Sequence, residues 1–195
     1  MQKVHITLEK DQRLWFTSDL HFGHRNVIKF CNRPYNDEKE MGPKLIENWN
    51  NVVSDNDIVF VLGDTFWFND SRAIKKVLGQ LKGKQIYILP GNHDDFNSYH
   101  RVNDPRIILC QDIVALWVKS DSWKKEYEAW LSHYPLTTWP HRDNGSLQLF
   151  GHIHSQPGKT TGFDQDLKLH PRQFDVGCDY WNWTPVNFEV IRNLI

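Results

Sequence analysis

The pattern of apolar and polar positions predicts alternating strands and helices over the first half of the chain. Two solid apolar runs are typical of parallel strands that are buried on both faces, and other segments show helical or alternating spacing. The predicted elements, in order, are strands Val4–Leu8 and Arg13–Thr17, helices Asn26–Phe30 (capped by Asn26) and Lys39–Val53, strand Ile58–Leu62, a helix from Ser71 to Leu81, and strand Gln85–Leu89. This order indicates an α/β arrangement with right-handed crossovers.

The second half of the chain is richer in strands. These are Ile107–Cys110, Ile113–Lys119, Tyr127–Ser132, Leu147–Phe150 and Gln173–Val176, followed by a short strand and helix within Val186–Leu194. Residues 120–125 are predicted to form a hairpin tip, and residues 11–12 a tight turn. We find no repeat and no linker rich in proline, glycine or serine. We therefore expect a single domain over residues 1–195, with two sheets packed face to face and helices outside.

Five of the predicted strands are followed by residues drawn from only three polar types. The residues that follow them are Asp19 and His21, then Asp64, then Asn92, His93 and Asp94, then His133, and finally His152 and His154. Ligands of open α/β sheets bind at the carboxyl ends of strands, so we expect these side chains to converge. Each residue alone is ordinary, since Asp and Asn are common in turns and a lone His is more often a satisfied polar residue.

Together, these residues point to metal binding. Buried imidazoles and carboxylates brought together without a cation would carry a heavy cost of desolvation and repulsion. Imidazole and carboxylate ligands without thiolate suit Mn, Fe, Co, Ni or Zn better than Ca or a dedicated Mg site. Seven ligand side chains suit two divalent ions that share a carboxylate. Two such ions, about 3.5–4 Å apart, activate a bridging water for displacement at phosphorus.

The motifs Asp19-x-His21, Gly63-Asp64, Gly91-Asn92-His93-Asp94, His133 and Gly151-His152-Ile153-His154 appear in that order. They resemble the signature of the calcineurin-like metallophosphoesterase superfamily, over the chain from the second strand to residue 154. The segments SDLHFGHRNVIKF, RPY and FDVGCDYWNWTPV resemble a small bacterial and phage branch of it. The resemblance implies a four-layer α-β-β-α sandwich of two mixed β-sheets flanked by helices.

The resemblance also implies a role for each motif residue. Asp19, His21 and His154 would bind one metal, while Asn92, His133 and His152 would bind the second, with Asp64 bridging both. His93 would face the scissile phosphate and protonate the leaving oxygen, and Asp94 would orient His93. The chain departs from many family members after Gly63-Asp64, where an apolar residue is replaced by Thr65 and the aromatic run Phe66-Trp67-Phe68 follows.

Residues outside the motifs are candidates for substrate contacts. We expect His24, with Asn26 or Arg25, to contact a substrate phosphate, although His24 also suits a simple turn. Arg33 and Arg72 are further phosphate-contact candidates, although a solvated surface position suits each of them better. The aromatic residues near the motifs either pack in the core or stack on a nucleobase; they are Trp67, Phe68, Trp139, Trp181 and Trp183. The polar segment 155–170 is expected to be a flap or a plain surface loop.

Composition limits the possible partners of this 195-residue chain. Its net charge is −1, from 23 basic and 24 acidic residues, and no basic run is dense enough to predict stable nucleic-acid binding. No apolar stretch is long enough for a membrane span. The three cysteines lie far apart, which fits a reduced cytoplasmic protein and neither a disulfide framework nor a thiolate zinc site.

The predicted function is hydrolysis of a phosphate ester by a metal-bridging hydroxide, with His93 as general acid. A phosphodiester is favoured because a leaving-group acid helps most when the alkoxide leaves poorly, and a nucleotide is one candidate substrate. The alternatives are a phosphomonoesterase and a metal-free protein-interaction scaffold of the same fold, as in a retromer subunit. A scaffold would be expected to lose metal ligands, whereas all seven positions are filled here. The oligomeric state is left open.

Overall fold

The structure is a computed structural model that describes residues 1–156 and 168–195. It contains ten named strands and five α-helices in these ranges. The strands are β1 (Gln2–Leu8), β2 (Leu14–Thr17), β3 (Ile58–Leu62), β4 (Gln85–Leu89), β5 (Ile107–Leu109), β6 (Ile113–Ser120), β7 (Tyr127–Ser132), β8 (Leu147–Phe150), β9 (Gln173–Asp175) and β10 (Val186–Asn187). The helices are α1 (Arg25–Phe30), α2 (Glu38–Val52), α3 (Ser71–Leu78), α4 (Phe96–Tyr99) and α5 (Phe188–Arg192).

The strands form two mixed sheets of five strands each. The first has the order β10-β2-β3-β4-β5, in which β2 to β5 run parallel and β10 pairs antiparallel with β2. The second has the order β1-β6-β7-β8-β9, in which only the β6–β7 pair is antiparallel. The predicted sandwich of two mixed sheets flanked by helices is confirmed.

Strand β3 consists entirely of apolar residues because both of its faces are buried. Because side chains alternate between the faces of a strand, Phe60 and Leu62 enter the core between the two sheets, while Val59 and Val61 enter the core beneath the helices. All five residues of the strand are buried. Trp49 of α2 lies in the helix-side core and is 1% exposed, so helix and sheet share one apolar layer.

Several predicted boundaries and connections were wrong. Strands β1 and β2 lie in different sheets, so the turn near Asp11 crosses the sandwich. Helix α1 begins at Arg25 with His24 at its N-cap, which places Asn26 inside the first turn instead of at the cap. Asp70, not Ser71, caps α3, because its side chain accepts from the Arg72 N–H at 2.9 Å. Helix α3 ends at Leu78, and helix α4 was not predicted.

No helix within the described residues has both the length and the apolar character needed to cross a membrane.

Candidate metal centre

The motif residues come together from both sheets. Strands β2, β3 and β4 of the first sheet and β7 and β8 of the second end at one side of the sandwich, and hydrogen bonds join the loops that follow. The Asp19 N–H donates to the Gly63 carbonyl at 3.1 Å, and the Gly151 N–H donates to the His133 carbonyl at 2.9 Å. The two sheets are linked directly, because the His152 N–H donates to Asp19 Oδ2 at 2.9 Å.

Asp19, His21 and His154 form a first group that can hold a metal ion. Each offers one ligand atom, and these atoms lie within 4.8 Å of one another. His154 Nε2 is 3.7 Å from Asp19 Oδ1. Asp19 is fully buried, and its Oδ1 has no hydrogen-bond partner among residues 1–156 and 168–195. An orphaned, buried carboxylate oxygen facing imidazoles is costly unless a cation satisfies it, so these residues fit a metal.

Asp64, His133 and His152 form a second group, again with ligand atoms within 4.8 Å. Nδ1 of His133 lies 2.8 Å from the Leu62 carbonyl, which makes Nδ1 the proton donor and leaves Nε2 for a ligand. That Nε2 lies 3.0 Å from the Asn92 carboxamide oxygen. Asn92 therefore lies beside the second group.

Asp64 lies between the two groups. Its Oδ2 is 3.6 Å from His21 Nε2 and 3.4 Å from His133 Nε2. Its Oδ1 accepts a hydrogen bond from the His93 N–H at 2.9 Å, which fixes the orientation of the carboxylate. One oxygen of Asp64 thus faces imidazoles of both groups, the geometry that a bridging ligand requires.

The carboxylates of the centre raise the pKa of two of its imidazoles. Burial alone would lower the pKa of His133, but the hydrogen bond to Asp64 and the charge of Asp19 raise it to about 9. Burial likewise acts to lower the pKa of His154, while Asp19 and Asp179 raise it to about 11. Burial would raise the pKa of Asp64, but His133 and His21 lower it to about 2. Divalent cations would supply the same positive charge without the protons.

The backbone around the centre is strained. Among the seven predicted ligands, five have left-handed backbone conformations, with φ of 57° at Asp19, 52° at His21, 54° at Asp64, 73° at His152 and 47° at His154. Such conformations cost non-glycine residues about 1–3 kcal/mol each and cluster at functional sites. Gly151 is needed for space instead, because a Cβ there would lie 2.5 Å from Asp19 Oδ2.

Asp94 organises backbone and does not act on His93 directly. Its carboxylate accepts from the Gly91, Asp64 and Thr65 N–H groups at 3.0, 2.7 and 3.1 Å, and from the Tyr99 hydroxyl at 2.5 Å. No bond from Asp94 to the His93 ring is seen within the described part of the chain. The expectation that Asp94 orients His93 is therefore corrected. Through these hydrogen bonds, Asp94 connects the loop after β3 to the loop after β4.

Arg33 lies behind the centre and does not reach the surface. Its side chain is 0% exposed and forms a two-pronged ion pair with Asp179, from Nε at 2.8 Å and from Nη2 at 2.9 Å. The same Nη2 donates to the Asp19 carbonyl at 2.6 Å. The proposed phosphate contact of Arg33 is therefore corrected to a structural role.

Sequence reasoning missed Asp179. Its Oδ2 lies 2.7 Å from His154 Nδ1, which leaves Nε2 of that ring to face Asp19. Cys31, His154 and Asp179 form a third group whose ligand atoms are close enough for a metal. In that group, however, Asp179 is already paired with the positive guanidinium of Arg33. We therefore interpret Asp179 as a residue that positions His154 within the first group.

His93, His24 and Trp67 form the mouth of the centre. The exposed ring of His93 lies 5.6 Å from that of His21 and 4.6 Å from that of Trp67, between centroids. His24 is 8% exposed and stacks on Trp67 at 3.5 Å with planes 7° apart. Asn26 and Arg72 are exposed on their helices.

The other four candidate aromatic residues pack against apolar clusters. Trp181 packs against the core between the sheets, Phe68 and Trp183 against the helix-side core, and Trp139 in a small cluster with Trp130 on the outer face of the second sheet. The packing alternative therefore holds for these four. Most of the predicted flap, residues 157–167, lies outside the described residues.

The sequence pattern that defines calcineurin-like phosphoesterases matches residues 12–156 of this chain. The chain belongs to the calcineurin-like phosphoesterase family. The predicted family is thus confirmed, and the matched region contains all seven predicted metal ligands.

Relatives and a solved structure agree with this placement. An uncharacterized protein of Methanocaldococcus jannaschii, MJ1445, is 30% identical over 190 residues, covering 94% of this chain and 92% of its own. The Gene 66 protein of Mycobacterium phage D29 is 31% identical, covering 87% of this chain and 89% of its own. The crystal structure of AQ665 from Aquifex aeolicus, a protein of unknown function, has a TM-score of 0.65 at 22% identity, covering 95% of this chain and 100% of its own. That structure shares the fold.

Proposed function

We propose that this chain is a phosphodiesterase that binds two divalent transition-metal ions, one at each group of ligands. The observation that carries the proposal is the position of Asp64, whose Oδ2 lies within 3.6 Å of imidazole nitrogens from both groups. The mixed imidazole and carboxylate ligands favour Mn, Fe, Co, Ni or Zn. When bound, the two ions would supply an activated water and neutralise charge on the phosphate oxygens.

The side chains of the chain itself carry out the remaining parts of the proposed reaction. Asp64 fixes the spacing between the two ion sites, and through its Oδ1 it also holds the His93 backbone at 2.9 Å. The exposed ring of His93 stands beside His21 at the mouth, where it can give a proton to the leaving oxygen. A general acid contributes most when the leaving alkoxide is poor, so we propose that the substrate is an ester of an unactivated alcohol, with a diester favoured.

We also propose a cytoplasmic location. All three cysteines are free and buried, at positions 31, 110 and 178. Burial raises the pKa of the Cys110 thiol to about 12. A thiol in the state of Cys110 is unreactive, and three unpaired cysteines are in keeping with a reducing compartment.

The test is an activity profile of metal-reconstituted protein. Protein stripped by a chelator and reloaded with Mn, Fe, Co, Ni or Zn is assayed on bis(p-nitrophenyl) phosphate and p-nitrophenyl phosphate. We expect no hydrolysis without metal, and a higher kcat/KM for the diester than for the monoester with at least one metal. Hydrolysis of the monoester alone would make the chain a phosphomonoesterase, and none of either substrate with any metal would contradict the proposed reaction.

A further inference from the structure

Trp67 is a large aromatic side chain left exposed beside the candidate metal centre. It is 46% exposed, although its neighbour Phe66 is 1% exposed and Phe68 packs into the helix-side core. Its ring lies 4.6 Å from that of His93 and 6.1 Å from that of His21. A ring in this place is not part of the core. It lies beside His93, the group that would give a proton to the leaving oxygen.

The ring of Trp67 is held in position on one face. The buried ring of His24 stacks against it with centroids 3.5 Å apart, and the backbone is fixed because the main-chain N–H of Trp67 donates to the Phe22 carbonyl at 2.9 Å. A side chain that is already fixed loses little conformational entropy when a ligand binds to it. The arrangement therefore suits a preformed stacking surface.

Tyr134 stands in the same relation to the second group of ligands. It is 49% exposed, and its ring lies 4.4 Å from that of His152 and 5.1 Å from that of His133. Its backbone is fixed because the Ser132 hydroxyl donates to the Tyr134 carbonyl at 2.7 Å. Each metal group thus has one exposed aromatic ring beside it.

We propose that Trp67 and Tyr134 are stacking surfaces for the two arms of a phosphodiester whose phosphate lies on the metal centre. The proposal rests on the phosphodiesterase function proposed above and narrows its substrate to a dinucleotide. A dinucleotide carries one planar base on each side of its phosphate, and bases stack on aromatic side chains irrespective of sequence. The net charge of −1 favours such a short substrate over a long polyanion.

The test determines which base of the substrate depends on which aromatic ring of the protein. Metal-loaded protein is assayed on thymidylyl-3′,5′-thymidine and on two analogues in which a tetrahydrofuran spacer replaces one base or the other. We expect each missing base to lower kcat/KM about tenfold in the wild-type protein. In Trp67→Leu the loss for one base should disappear while the loss for the other remains, and Tyr134→Leu should show the reverse. Trp67→Phe should retain most of the wild-type preference.

The control is Trp117→Leu. Trp117 also stacks on a histidine, since its ring lies 4.8 Å from that of His5 with planes 10° apart, but it lies within β6 among residues of the second sheet. This variant should keep both base preferences. Equal kcat/KM for all three dinucleotides, in a protein that hydrolyses bis(p-nitrophenyl) phosphate, would overturn the stacking proposal and leave the phosphodiesterase intact. Base preferences that persist unchanged in both leucine variants would also overturn it, and hydrolysis of no diester would overturn both proposals.

Discussion

The Asp179 carboxylate accepts a hydrogen bond from Nδ1 of His154 at 2.7 Å. Burial would raise the pKa of Asp179, but Arg33 and His154 hold it well below its usual range, so the carboxylate stays charged. A charged acceptor at Nδ1 fixes the tautomer of His154 and raises the basicity of Nε2 as a ligand. Arg33 extends this support to Asp19, because its Nη2 also donates to the Asp19 carbonyl.

Replacing Asp179 by Asn should weaken metal binding at the first group. The amide keeps the shape of the side chain but loses its charge, so we expect about a 10- to 100-fold loss of affinity for the ion at the first group. Competition with a chromogenic chelator measures this directly. The control is Asp143→Asn, which removes an exposed carboxylate paired with the neighbouring Arg142. Equal metal affinities for the two variants would contradict the role of Asp179.

Replacing Gly151 by Ala should displace Asp19. The added Cβ would overlap Ser18 Oγ and would lie 2.5 Å from Asp19 Oδ2, and real Cβ atoms do not approach an oxygen so closely. We expect loss of metal from the first group, measured by equilibrium dialysis, together with a lower melting temperature. The control is Gly42→Ala in helix α2, whose added Cβ meets only the Phe22 ring at 3.8 Å and should stabilise the helix by about 1 kcal/mol. Full metal binding by Gly151→Ala would be evidence against this packing.

Metal affinity should rise with pH. Because the pKa of His133 is raised to about 9 and that of His154 to about 11, both rings carry a proton at neutral pH in metal-free protein. A cation must displace these protons, so binding releases them, and affinity falls as the pH is lowered. Calorimetry in two buffers of different ionisation enthalpy counts the protons released. Binding that releases none would contradict the expected protonation of these two imidazoles.

Replacing His93 by Ala should slow the reaction without removing the metals. His93 contacts the centre through its backbone N–H, which Ala retains, so Asp64 keeps its hydrogen-bond donor. We expect kcat for a diester with a poor leaving group to fall by about 100-fold or more. The loss should be much smaller for p-nitrophenyl esters, whose leaving group needs no proton. A uniform loss for both substrate types would argue against proton transfer by His93.

The local sequence pattern predicted those features that depend on nearby residues. Strands β3, β4, β7 and β8 were predicted with the bounds that the structure shows, because each is a short, mainly apolar segment next to turn residues. The motif residues were also found to meet, since each stands directly after a strand. Helix caps were less certain because Asn26, Asp70 and Ser71 all have side chains able to cap.

Features that depend on distant residues escaped prediction. Arg33 was expected either at a substrate phosphate or on the solvated surface, whereas it is buried and its partner Asp179 is 146 positions away. Asp179 in turn lies 25 positions from His154, on a segment with no regular spacing. The pairing of β1 with β6, and not with β2, is likewise a property of the whole sandwich.

The most direct test of the central claim is the number of metal ions per chain. Protein purified without chelator from cells supplied with Mn or Zn is analysed by inductively coupled plasma mass spectrometry, with Asp64→Ala prepared in parallel. The shared position of Asp64 predicts close to two ions per wild-type chain and fewer than one in the variant. A wild-type value of one or zero under both supplements would contradict a two-ion centre.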